Sequence, residues 1–96
     1  MSVKQQQRVV AALPRTTEMY RLSIHAMQRF KDHKRLVHGE IIRDAIENGD
    51  VQEGGKPGTA EFVIEWCSIT YTVVVDLQPG SSGIHEIVTV FHNLTS

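Results

Sequence analysis

In "LSIHAMQRF", residues 22–30, a histidine and an arginine stand four positions apart, at His25 and Arg29. On a helix that spacing puts both side chains on one face. Histidine exchanges a proton near neutral pH. The planar arginine fork holds two oxygens of a phosphate at once. A helix start beside His25 would add its own preference for an anion. The pair reads either as a proton-transfer group beside an anion clamp or as the polar edge of an amphipathic helix.

Two further candidates lie near the C-terminus, Thr89 and His92 in "IHEIVTVFH". Strict alternation puts Thr89 with His85, Ile87 and Phe91, and His92 with Glu86, Val88 and Val90. Thr89 and His92 therefore meet at one site only if the strand ends or bulges near Phe91. Thr89 also reads simply as a strand former. The five histidines form no HxH, HExxH or Cys/His cluster, so neither a metal nor another cofactor is expected. His33, His38 and His85 read as exposed. Glu61 and Glu65 read as the solvent side of a strand whose other side carries Phe62, Ile64 and Trp66. Trp66 and Tyr71 could stack a base, but their apolar neighbours make them core.

The elements that must position these groups follow from periodicity. "MYRLS", residues 19–23, suggests a small strand, and Ser23 stands as the N-cap of the helix that carries His25. Ile24 and Met27 take its core side, which turns His25 and Arg29 to the margin, toward the last strand near Thr89. A second helix carries Ile41, Ile42, Ala45 and Ile46 as one apolar stripe and ends at Gly49, the position of a C′ glycine. After the loop "GGKPG" the period changes to two, and strands are expected at 60–67, 69–77 and 84–92. Cys67-Ser68 is a weak turn signal, yet an unbroken strand from 60 to 77 would be unusually long. The order β-α-α-β-β-β implies an α+β fold, with two N-terminal helices on one face of a C-terminal antiparallel sheet of three to four strands.

The 96 residues suit one domain, 18–96, preceded by an arm at 1–17 that is flexible or a short helix and adds little to the core. At 41% hydrophobic and 22% charged, with net charge -1, the chain lacks the overall basic footprint of a nucleic-acid binder. Its cations do cluster between positions 15 and 43. Cys67 is alone, so no intramolecular disulfide can form. The N-terminal apolar run, 9–13, is too short for a signal core or a membrane span, and a cytoplasmic protein is expected.

With "RLS" closing a strand, "HAMQRF" opening a helix, "AIENGD" closing the next and "IVTVFH" in the last strand, residues 19–93 resemble the small prokaryotic domain-of-unknown-function family numbered 4258. The matched positions are His25, Ala26 and Arg29, then Asn48 and Gly49, then Thr89, Val90 and Phe91. The resemblance implies a RelE-like fold, of the RelE, barnase and colicin ribonuclease kind. It also implies metal-independent RNA cleavage and pairing with an antitoxin protein. His25, Arg29 and Thr89 would then be catalytic, His92 is added on its own chemistry as a second proton-transfer group, and Arg29, Lys31, Lys34 and Arg35 would hold RNA phosphate. Phe91 stands where the family often has tyrosine, and "KDHKR" replaces a further arginine. The competing reading is a non-catalytic module on the same fold that binds protein or RNA.

Overall fold

The computed structural model describes residues 10–24, 26–28, 39–80 and 82–94. In chain order it contains a 3-10 turn (Thr17–Met19), β1 (Tyr20–Leu22), α1 (Gly39–Asn48), β2 (Asp50–Glu53), β3 (Thr59–Trp66), β4 (Ile69–Asp76) and β5 (His85–Leu94). Ile24 and residues 26–28 form a short helical piece after β1. The expected positions His25, Arg29, Lys31, Lys34 and Arg35, with His33 and His38, lie outside the described residues. No helix among the described residues is long and apolar enough to cross a membrane.

The change of period after "GGKPG" produces the expected meander. β3 pairs antiparallel with β4, and β4 with β5. The β3–β4 join is a two-residue turn at Cys67 and Ser68, whose φ angles are 52° and 64°. Two left-handed residues in succession match the twist of the flanking strands, even where neither is glycine.

The rest of the sheet corrects the expected architecture. It has five strands in the order β1-β5-β4-β3-β2, and it is mixed, because β1 runs parallel to β5. The picture of two N-terminal helices on a purely antiparallel, RelE-like sheet does not hold. What is present is one described helix, a short helical piece and a strand-dominated molecule. β2 escaped notice because "DVQE" has a single apolar residue, Val51. Its backbone groups are satisfied by β3 across four paired positions, so it needs no apolar alternation of its own.

One face of the sheet packs on α1. Ala60, Phe62, Val73, Val75 and Ile87 meet Ala45 and Ile46 of the helix, and Phe62, Ala45 and Ile46 are fully buried. The stripe read from the sequence is therefore the buried side of α1. Tyr20 packs edge-on to Phe62, with ring centroids 5.8 Å apart. Its hydroxyl donates to the Pro14 carbonyl at 2.7 Å. Val10 and Leu13 belong to the same core. The expectation that 1–17 adds little to the core fails at these two residues, because a short apolar run suffices to cover the edge of a small core.

Arg15 joins the N-terminal stretch to the end of α1. Its Nε donates to the Ile46 carbonyl at 2.6 Å and its Nη2 to the Gly49 carbonyl. The guanidinium lies over the Phe62 ring, 5.0 Å from its centroid. Helix C-termini leave carbonyls without partners and favour a nearby cation, and α1 has no basic residue in its own last turn.

Gly49 ends α1, but not through a left-handed φ. Its N–H still bonds the Ala45 carbonyl at 2.9 Å. The glycine is required by contact, since a Cβ there would lie 2.5 Å from the Ala45 oxygen and 2.7 Å from the Val63 oxygen. Both obstacles are backbone, so Gly49→Ala should cost about 2 kcal/mol, the scale of overpacking a tight site. Urea unfolding measures this, and a change below about 0.5 kcal/mol would contradict the close approach.

Burial pushes the Tyr20 hydroxyl up to about 12, with Arg15 opposing the rise. A raised folded value means that stability is fully present below the unfolded value near 10 and is lost as pH rises toward 12. Chemical denaturation across that window should show a loss of roughly 2 kcal/mol from this group. Tyr20→Phe should remove most of that slope while losing about 1 kcal/mol at neutral pH with its hydrogen bond.

Candidate functional site

β5 carries the two candidate residues that the structure describes. Its register against β4 skips one residue, since Val74 faces Thr89 but Val75 faces Ile87. The extra residue is Val88, a bulge. Before it, His85 and Ile87 face α1; after it, Val90 and His92 do. The simple alternation that grouped Thr89 with His85 and Ile87 is overturned by that one inserted residue.

The bulge does not bring Thr89 and His92 together. It precedes both, and pairing runs without a break from Thr89 to Leu94. Thr89 and Phe91 lie on the face away from α1, where Phe91 is 39% exposed. His92 lies on the α1 face opposite Tyr71, ring centroids 6.0 Å apart. A hydroxyl-bearing aromatic thus stands across from His92, on the neighbouring strand.

Ser23 is the N-cap that the sequence suggests. Its Oγ accepts the Ala26 N–H at 3.1 Å and donates to the Val88 carbonyl at 3.3 Å. Its backbone N–H donates to the Ile87 carbonyl at 3.0 Å. The helical piece therefore starts against the bulge, and the Ser23 hydroxyl satisfies a carbonyl of the bulged residue. The side assigned to this piece is corrected. Ile24 is 73% exposed and Met27 46%, while Ala26 is buried. Small Ala26, next to the anchored cap, takes the inward position that the larger apolar residues were expected to fill. Ile24 and Met27 therefore do not mark the core side from which a margin facing Thr89 was expected.

His85, expected at the surface, is buried. Its ring stacks on Tyr20, centroids 5.4 Å apart, and Nδ1 lies 2.7 Å from the Asp76 carbonyl. A carbonyl only accepts, so this geometry puts a proton on Nδ1. Beside it, Arg21 and Glu86 form an exposed ion pair at 3.2 Å, of small energetic weight. Among the described residues, no three His, Cys, Asp or Glu side chains gather as a metal ion would need.

A groove of about 220 Å³ runs between α1 and the end of β3. Ile41, Ile64 and Trp66 make its apolar wall, and Glu40 and Asp44 stand on the helix beside it. Trp66, expected in the core, is 47% exposed here. Alternation puts Trp66 on the α1 face and carries no sign of how much of it the helix covers. The available signal was Glu40 and Asp44, an i, i+4 pair bordering Ile41. A second groove, of about 250 Å³, lies between β1 and α1 and includes Tyr20, Leu22, Ile42 and Arg43.

The Asp76 carboxyl is raised above its ordinary value, first by burial and next by Glu86, while His85 draws it down. A raised carboxyl favours folding when protonated, and that contribution disappears as pH rises through its folded value. At neutral pH the Asp76 charge is thus a cost. Asp76→Asn should raise the thermal midpoint at pH 7, with the gap narrowing as pH falls through the carboxylate range. A lower midpoint at pH 7 would show that the charge is used rather than tolerated.

Compared with protein-family models, curated proteins and solved structures, the chain finds no match.

Proposed function

We propose that this domain is a non-catalytic interaction module whose partner is a protein. The observation that carries the reading is the groove beside α1, where a large aromatic, Trp66, stays 47% exposed against two isoleucines. Exposed aromatics set in apolar clefts are the usual anchors of protein interfaces. The separation of Thr89 from His92 supports the same reading, since acid–base cleavage of RNA needs its groups within reach of one phosphate. The acids beside the groove would repel a phosphate backbone.

The ribonuclease reading, with an antitoxin partner, makes a different forecast. Purified protein incubated with a mixed RNA pool in EDTA should leave the RNA intact, and labelled RNA should show no salt-dependent retention. Cleavage that falls about a hundredfold in His25→Ala or His92→Ala, the scale of losing a general acid or base, would overturn the module and restore the enzyme.

A further inference from the structure

We propose that the groove between α1 and β3 takes an arginine side chain from a partner segment whose flanking residues are aliphatic. The inference rests on the interaction-module reading and names the chemistry of the partner.

Three features converge. Glu40 and Asp44 are one helical turn apart, so their carboxylates sit close together on the same side of α1. Among the described residues no cation pairs with either, and none of the residues lining the groove is basic. Asp44 receives a neutral donor, the Asn48 amide, at 2.7 Å. Among the described residues, then, neither carboxylate of the groove has a cation paired with it. Next, Trp66, 47% exposed, lines the groove with them, and a cation over an indole is attracted by the ring quadrupole. Last, Ile41 and Ile64 supply an apolar wall for aliphatic stems.

Arginine satisfies all three at once. Its planar fork can meet two carboxylates, and its flat guanidinium stacks on an aromatic where an ammonium would not. Its methylene stem would lie along Ile64. A lysine brings the charge and an aliphatic stem, but its ammonium has no planar fork to meet two carboxylates and no flat face to stack on the indole. A nucleic acid or an acidic peptide fails the charge requirement, because both bring negative charge to Glu40 and Asp44.

Trp66 is the only tryptophan in the chain, so its fluorescence reports on the groove directly. The probe is a capped heptapeptide of alternating leucine and arginine, compared with versions carrying lysine or glutamate instead of arginine. The arginine peptide should give a saturable change in Trp66 emission that weakens as salt is raised. The lysine peptide should bind more weakly, and the glutamate peptide should give no change. A Glu40→Gln, Asp44→Asn double variant should keep its circular dichroism and thermal midpoint but bind the arginine peptide about tenfold more weakly. It should also lose most of the salt dependence.

Equal responses to the arginine and glutamate peptides would overturn the proposal, leaving only apolar adhesion. Unchanged affinity in the double variant would do the same. Concentration-dependent emission without peptide, with sedimentation as a dimer, would assign the groove to a second copy of this chain and overturn the stated occupant. Failure of peptide binding with RNA left intact defeats this inference alone. Cleavage of RNA that depends on His92 defeats the module reading beneath it.

Discussion

The guanidinium of Arg15 holds three parts of the molecule in one place. It donates to the carbonyls of Ile46 and Gly49 at the end of α1, and it covers the face of Phe62 in the core. The N-terminal stretch that brings it there buries Val10 and Leu13 in the same core. A single cation therefore answers the unpaired carbonyls and the negative end of α1, while shielding the most central aromatic from water. The helix brings no cation of its own to that end. Without the arm the helix terminus would lose two donors and the core would lose part of its lid.

That anchoring decides what α1 covers and what it leaves open. Gly49 lets the end of the helix come within backbone contact of Val63. The helix start, with Glu40 and Asp44, then lies beside Ile64 and Trp66. β3 has eight residues, and its last two are exposed where its first two are buried. The groove is the geometrical consequence of a short helix fixed against one part of a longer strand. Its exposed tryptophan follows from coverage, not from any departure from the strand's alternation.

The bulge at Val88 plays the matching part on the other side of the sheet. It lets His85 and Ile87 face α1 while Val90 and His92 also face it. It is also where Ser23 fastens the helical piece to the sheet. An inserted residue on β5 thus sets which side chains before and after it share a surface, while ordinary alternation beyond it puts Thr89 and His92 on opposite faces.

What the sequence determined by itself was local. The apolar stripe of α1, the period-two strands from 59 onward, the Cys67-Ser68 turn and the Ser23 cap all rest on interactions within a few residues, so their spacing is visible in the chain. Tertiary structure decided the rest. β2 is a strand because β3 supplies its hydrogen bonds, and Val51 alone could not signal that. β1 runs parallel to β5 through pairs some 65 residues apart in sequence, such as Tyr20 with His85. Burial of His85 and exposure of Trp66 depend on which partner reaches them, a ring from β1 in one case and no helix turn in the other. Periodicity reports which face a residue lies on. Only packing decides whether anything covers it, because the covering atoms come from distant parts of the chain.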